Sequence, residues 1–471
     1  MTLALMAAGL AVWVRLHFGA ITFDQIVSNF PVVDAQNVGN TALFGQAVLA
    51  SVVLPILVMA FAAMLLGGRR AAGKARRLDN WLRLVVPLLA AVVAFGALIT
   101  TARLPEYVAA VIADRTFEPY YQPPTITKVP AKPKNLITIY LESVEESYSD
   151  PAVFGQDLLA GLTAGTAGWA TYHGLREDPG GGWTMAGLIG TQCGIPLKGK
   201  AVVFGFSPNR EGQEARTYLP GATCLGDLLA ANGYTNAFVG GADGRFAGKA
   251  TYLADHGYTI DRGLAEWEAV GEDPANISDW GLSDARTLAH ARETLEQLRA
   301  TGRPYNLTIL TLDSHEPPGA FPGCTTGDAN PMATALKCSM RAVAAFLAGL
   351  EAAGYLEDTV VMLTGDHRKI LGASTYYRVE LSVAAERTLP LRVWSPDPVT
   401  FSRAGADQLS ILPTTLELLG FGLPDGRAGL GVSFASAHDL AGTALALPRE
   451  QYDELVTSPS AELYRRFWHV S

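Results

Sequence analysis

Residues whose types and spacing could do chemistry fall in four places in this chain. The first is the stretch from Gly180 to Gly199, where three glycines lead into Trp183 and Thr184 and then an apolar, helix-like run. Glycines let the backbone approach a ligand closely, and a helix start offers free N–H groups to an anion. Thr184 falls at that start. A hydroxyl there, beside a metal ion, loses its proton more readily and can attack phosphorus. The same position also suits a helix N-cap, and the two roles are compatible. The other three places are the ends of apolar runs. Run 136–141 ends at Glu142, run 307–312 leads into Asp313, Ser314 and His315, and run 360–363 leads into Thr364, Gly365, Asp366 and His367. Carboxylates with imidazole suit Mn²⁺, Mg²⁺ or Zn²⁺. Each group alone is ordinary in a loop; together they suggest a metal site.

For these groups to meet, the runs must be neighbouring strands. Runs 136–141, 235–239, 307–312, 360–363 and 391–394 are short, apolar and β-rich, as strands covered on both faces should be. Between them, 284–299 and 333–351 have helical spacing, with Gly302 and Gly354 at their ends. This alternation predicts an α/β domain with a mainly parallel central sheet. In such sheets ligands bind outside the carboxyl ends of the strands, where the polar clusters lie.

The front of the chain differs. Of the 471 residues, 49% are hydrophobic and 17% are charged, below the roughly 25% of soluble domains. Residues 35–68 and 84–102 carry no charge, and 1–14 is a shorter apolar run, so two or three membrane spans are expected. The loop between the two clear spans holds Arg69, Arg70, Lys74, Arg76, Arg77 and Arg83, which keeps it cytoplasmic and places the rest outside. The expected organisation is a helical membrane anchor over 1–103, a Pro-rich linker over 104–134 and an extracytoplasmic catalytic domain over 135–471. Cys193, Cys224, Cys324 and Cys338 all fall in the exterior part, where disulfides form, and pairing 193 with 224 and 324 with 338 is the simplest of three connectivities. The net charge of −9 argues against a nucleic-acid partner.

The motifs together resemble the sulfatase-like phosphoglycerol transferases of the alkaline-phosphatase superfamily, and among them the periplasmic-glucan group more than the lipoteichoic acid synthases. The shared segments are Gly182 to Gly187, Gln192 to Leu197, Phe246 to Lys249, Trp280 to Asp284, His315-Glu316-Pro317 and Gly365-Asp366-His367. The resemblance implies an alkaline-phosphatase/sulfatase-like fold behind membrane-anchoring helices. It implies that Glu142, Thr184, Asp366 and His367 hold a divalent metal, Mn²⁺ first and Mg²⁺ or Zn²⁺ otherwise, with Thr184 also the nucleophile. His315, Lys249 and Trp183 are expected to bind substrate; a lone Lys acts there as a point charge, unless it is an ordinary solvated lysine. The implied donor is phosphatidylglycerol and the acceptor a periplasmic glucan, at a bacterial inner membrane. A phosphoethanolamine transferase, a phosphodiesterase or a non-catalytic membrane sensor are the alternatives. The sulfatase C/S-x-P-x-R motif is not met at Cys193 to Lys198, and Ser410 stands where the superfamily often has Asp, in a segment read as structural.

Overall fold

A computed structural model of the chain describes residues 2–18, 45–67, 76–105, 108, 116–198, 212–372, 375–458 and 461–468. The chain divides into two units, Met1–Ala113 with Leu371–Ser374, and Asp114–Ile370 with Thr375–Ser471.

In the first unit lie helices α1 (Thr2–Phe18), α2 (Leu54–Gly67) and α3 (Arg76–Thr101). A π-helical turn, Leu49–Val53, precedes α2. Small residues set the packing: Ala4 and Ala7 of α1 are buried with Ala94 of α3, while Trp13 and Val14 are buried with Ala47. A Cβ on Gly9 would lie 2.2 Å from the Ala50 carbonyl oxygen, so only glycine allows that approach. Leu57, Phe61, Leu88, Val92 and Val93 are exposed, giving an apolar outer surface. Among the described residues, the one helix long and apolar enough to cross a membrane is Pro331–Ala352, half of it buried; the stretches Thr2–Leu16, Gly45–Phe61 and Val85–Thr101 are shorter, 10–17 residues. Arg69, Arg70 and Lys74 of the basic loop lie outside the described residues.

The second unit is built on one seven-stranded sheet. Its strands are β1 (Asn135–Leu141), β2 (Ala170–Leu175), β3 (Thr235–Gly240), β4 (Tyr258–Arg262), β5 (Tyr305–Leu310), β6 (Thr359–Gly365) and β7 (Leu389–Trp394). The spatial order is β2-β7-β6-β1-β5-β3-β4. Neighbours from β6 to β4 pair in parallel, and β7 runs antiparallel to both β6 and β2. The sheet is mainly parallel, as expected, with one reversed strand. Every residue of β1, β5 and β6 is buried, which is why these runs read as continuous apolar segments. The strand expected over 307–312 begins two residues earlier and ends at Leu310. Strands β2 and β4 had no such signature. They are the two edges, carry polar residues and are only partly buried, and β2 shifts register between Tyr172 and Leu175 around Gly174 at φ +79°.

The helices used below are α4 (Thr184–Cys193), α5 (Asp284–Ala300), α6 (Pro331–Ala352) and α7 (Ile411–Leu418). The two expected helical segments are present as α5 and α6. Asn330 caps α6 by accepting from the Met332 amide, with Pro331 in the first turn.

The reading of 104–134 as a linker needs correction over its second half. Phe117 is fully buried, and its ring packs with Tyr121 and Phe467. Gln122 and Gly429 exchange backbone hydrogen bonds, and Thr127 donates to the Gly422 carbonyl. The aromatic anchors outweigh the Pro-rich composition, so this stretch belongs to the sheet unit.

The structure joins Cys193 to Cys224 and Cys324 to Cys338. The first pair is buried at the end of α4 and spans 31 residues of chain. Closing a loop of that length restricts the unfolded chain by about 3–4 kcal/mol. Replacing both Cys193 and Cys224 by Ser is expected to lower unfolding free energy by about that amount in denaturant titrations; a change under about 1 kcal/mol would show that the bridge does not hold the fold.

Candidate active site

The parallel register brings three strand ends to one edge. Tyr140 of β1 is level with Leu310 of β5, and Leu141 is level with Gly365 of β6. The residues that follow, Glu142, the 311–315 turn, and Asp366 with His367, therefore emerge side by side. Glu142, Asp366 and His367 are all buried and offer ligand atoms within 4.8 Å of one another. His367 Nε2 lies 3.5 Å from both Glu142 Oε1 and Asp366 Oδ2.

Local chemistry fixes each of the three. His367 Nδ1 faces the Arg368 carbonyl oxygen at 2.8 Å, so Nδ1 carries a proton and Nε2 is the nitrogen turned toward the cluster. Asp366 Oδ1 accepts the amides of Ser143 and His367, each at 2.8 Å. Ser143 adopts φ +54°, a strained conformation for a residue with a side chain, and this turns its N–H toward Asp366. Its hydroxyl donates to Glu142 Oε1 at 2.7 Å. Nothing in the sequence pointed to Ser143.

Asp366 Oδ2 is buried and has no hydrogen-bond partner. An orphaned carboxylate oxygen in a buried site is costly unless a cation meets it. Its 3.5 Å spacing from His367 Nε2 matches that of ligands around one divalent ion, roughly 3–3.5 Å apart. The charges tell the same story. Burial alone would raise Glu142, but the charge and hydrogen bond of His367 hold its carboxyl below the usual range. Burial and the Glu142 charge push Asp366 well up. Burial would lower His367, yet Asp366 and Glu142 together lift it to about 10. Two carboxylates thus compete for one positive charge, and the residues fit a divalent cation held by Glu142, Asp366 and His367.

Thr184 joins them. Its Oγ1 donates to Glu142 Oε2 at 3.3 Å. The N-cap of α4 is Trp183, in extended conformation, so Thr184 is the first helical residue and its hydroxyl is not spent on capping. Trp183 itself packs into the apolar cluster with Tyr140 and Phe238. Gly187 lets α4 come this close, and Gly181 lets the turn before it fold tightly on Asp178. A Cβ on Gly187 would lie 2.0 Å from the Asp366 carbonyl oxygen, and one on Gly181 would lie 2.0 Å from Asp178 Oδ1.

The segment around Ser410, read as purely structural, also reaches the site. Gln408 Nε2 donates to the Asp366 carbonyl at 2.6 Å, and its Oε1 accepts from the Asp178 amide. Gln408 is fully buried, so its amide had to find partners.

His315 and Lys249 are not ligands but lie within range of Glu142, whose charge acts on both. His315 Nδ1 faces the Glu316 carbonyl oxygen at 2.9 Å, leaving Nε2 as acceptor. Burial pulls His315 below its usual value, so the ring is neutral. Trp280 packs against it with ring centroids 3.9 Å apart. Lys249 is 4% exposed, which rules out an ordinary solvated surface lysine. Its ammonium lies 5.5 Å above the Phe238 ring, and burial lowers its pKa.

The Trp280 to Asp284 motif has a structural use. Asp284 accepts from the amides of Leu312 (2.6 Å) and Asp313 (3.3 Å), and Asp313 accepts from the Asp284 amide at 3.0 Å. Both acids are buried, and burial pushes both pKa values up; for Asp313 the Asp284 charge adds to this. An acid whose folded pKa is raised keeps its proton where the unfolded chain has lost it. Its stabilising contribution is full below about pH 4 and declines as pH rises above the ordinary carboxylate range. Asp313→Asn keeps the acceptor oxygen and removes one charge. Its melting temperature should fall less than wild type's between pH 4 and pH 8; an equal fall would show that Asp313 does not carry the pH dependence.

Residues 204–421 match the sulfatase family. Phosphoglycerol transferase I of Xanthomonas axonopodis pv. citri (strain 306) is 34% identical over 265 residues, covering 54% of this chain and 36% of that protein. Phosphoglycerol transferase I of Escherichia coli O139:H28 is 35% identical over 263 residues, covering 54% of this chain and 33% of that protein. The matched part is thus about a third of these relatives' length. A protein of the alkaline phosphatase superfamily from Vibrio parahaemolyticus shares the fold, with TM-score 0.53 at 18% identity over 72% of this chain and 80% of that one. The lipoteichoic acid synthase LtaP from Listeria monocytogenes does so with TM-score 0.52 at 17% identity, over 66% and 79%. Residues 204–421 of this chain are thus similar to the sulfatase family, and the sheet unit shares the fold of these two solved structures.

Proposed function

We propose that this protein transfers phosphoglycerol from phosphatidylglycerol to a hydroxyl of a periplasmic glucan, through a covalent intermediate on Thr184, with release of diacylglycerol. The observation that carries this is the Thr184 hydroxyl set on Glu142, 3.3 Å away, at the edge of a buried ligand cluster with an orphaned Asp366 oxygen. The names of the relatives matched over 54% of the chain supply the phosphoglycerol group. The proposed enzyme sits in the bacterial inner membrane, anchored by the helices of the first unit, with its catalytic unit in the periplasm.

Glu142, Asp366, His367 and Thr184 would hold the divalent cation, with Mn²⁺ the first choice and Mg²⁺ or Zn²⁺ the others. When bound, that ion supplies Lewis acidity at the phosphoryl oxygens and favours ionisation of a neighbouring hydroxyl. In the first step Thr184 Oγ1 forms a bond to phosphorus as the phosphorus–oxygen bond to diacylglycerol breaks. The proton lost by Thr184 is made up on the departing oxygen. Glu142 orients the Thr184 hydroxyl; with its pKa held low, it serves as an acceptor rather than a proton store. Lys249 offers its buried charge to a phosphoryl oxygen, where a point charge in a poorly hydrated site acts strongly. In the second step a sugar hydroxyl attacks phosphorus and the oxygen of Thr184 leaves and is protonated. The neutral His315 Nε2 can accept the proton of the incoming hydroxyl.

Two measurements test this. Mass spectrometry of the protein after exposure to phosphatidylglycerol should find phosphoglycerol on Thr184 and nothing there in Thr184→Ala. An adduct from phosphatidylethanolamine alone would replace the donor, and turnover by Thr184→Ala would remove the covalent step. A hydrogen bond to a charged group is worth about 1.5–3 kcal/mol, so Lys249→Ala should lose roughly 10–100-fold in kcat/KM. A loss confined to folding, with kcat/KM of the soluble fraction unchanged, would remove Lys249 from the substrate pocket.

A further inference from the structure

Lys369 lies two residues beyond His367 and is 3% exposed. Its ammonium donates to the Ser314 carbonyl at 2.5 Å, sits 3.5 Å from Glu316 Oε1 and lies 4.0 Å from Met332 Sδ of α6. An ammonium has three N–H groups, and these three partners account for them. No donor is left for a substrate. Two of the partners, Ser314 and Glu316, flank His315.

The other end of Lys369 is fixed as well. Its amide donates to Glu145 Oε1 at 2.9 Å, and its carbonyl accepts from Arg387 at 2.5 Å. Glu145 is fully buried and is paired with Arg387. Glu316 Oε1 accepts in turn from the Tyr376 amide at 2.9 Å. The turn that carries Asp366 and His367 is thereby tied to the turn that carries His315. Two further ties act on the same loop: Ser314 Oγ donates to the Glu142 carbonyl at 2.5 Å, and Asp284 holds the amides of Leu312 and Asp313.

Burying an ammonium costs several kcal/mol, and an apolar side chain of similar size would fill the space at less cost. The return must lie in geometry. We infer that Lys369 is a positioning residue, which sets His315 at a fixed distance from the Glu142–Asp366–His367 cluster. This rests on the role given above to His315. Lys369 touches neither substrate nor ligand atoms; its effect on turnover passes through the His315 ring.

A double-mutant cycle with the full chain in detergent or bilayer tests this. The variants are His315→Ala, Lys369→Met and the pair, with phosphatidylglycerol as donor. Metal content by mass spectrometry and melting temperature are read alongside kcat/KM. Lys369→Met should lose at least about tenfold in kcat/KM while keeping its metal, and adding it to His315→Ala should cost less than about twofold more. Lys369→Arg, which keeps donors for the Ser314 carbonyl, should retain more activity than Lys369→Met and stands in for it if the Met variant does not fold. Independent, multiplicative losses would overturn the inference, as would loss of metal or unchanged turnover in Lys369→Met. Wild-type turnover in His315→Ala would instead overturn the role of His315 itself, and this inference with it.

Discussion

The structure of this domain turns on a concentration of acidic groups in a buried site. Glu142 and Asp366 are buried at the ends of adjacent parallel strands, with one imidazole between them and one carboxylate oxygen left without a donor. Like charges so close are unfavourable in a medium that screens poorly. The surroundings are therefore organised to hold them against that repulsion. Two amides grip Asp366 Oδ1, a hydroxyl grips Glu142 Oε1, and a backbone carbonyl fixes the orientation of the His367 ring. What those bonds leave unsatisfied converges on one point. A cation there would meet the charge that those bonds leave unsatisfied.

Close approach of backbone to backbone is the second requirement, and glycine meets it. The start of α4 must come within contact of the Asp366 carbonyl for Thr184 to reach Glu142. Gly187 permits that contact, and a methyl group there would occupy the place of the carbonyl oxygen. Gly365 permits another, since a Cβ would lie 2.4 Å from the Val144 carbonyl oxygen. Gly187 of the motif around Thr184 thus serves packing.

This explains what was legible in the sequence. Fully buried strands leave continuous apolar runs, so β1, β5 and β6 could be found, and the polar residues after them had to share an edge once the sheet was parallel. Edge strands leave no such run; β2 and β4 went unseen because half their surface faces water. The direction of β7 was equally hidden, because a reversed strand covered by neighbours has the composition of a forward one. Around the site, Glu142, Thr184, Asp366 and His367 stood out by position. Ser143 and Gln408 did not, since each acts through a backbone conformation or a long-range bond that residue type does not announce. Lys249 was ambiguous by type alone: the same residue is solvated on most surfaces and here is buried.

The site has two halves built by different means. The ligand cluster is set on strand ends and on α4, held by many backbone bonds. The group expected to meet the acceptor hydroxyl, His315, comes from the connection after β5. Phosphoryl oxygens present the same charge in every phosphodiester, so a rigid strand-end cluster can serve them all. Head group and acceptor differ in hydroxyls and shape, and those must be met by side chains on connections that can vary without disturbing the sheet. A connection free to vary is also free to move, and His315 is useful only at a fixed distance from the cluster. Lys369, Asp284 and Ser314 supply that restraint by bonding to the backbone around His315 rather than to its ring. Restraint through the backbone leaves the imidazole Nε2 unspent, which is the condition for it to act on a substrate.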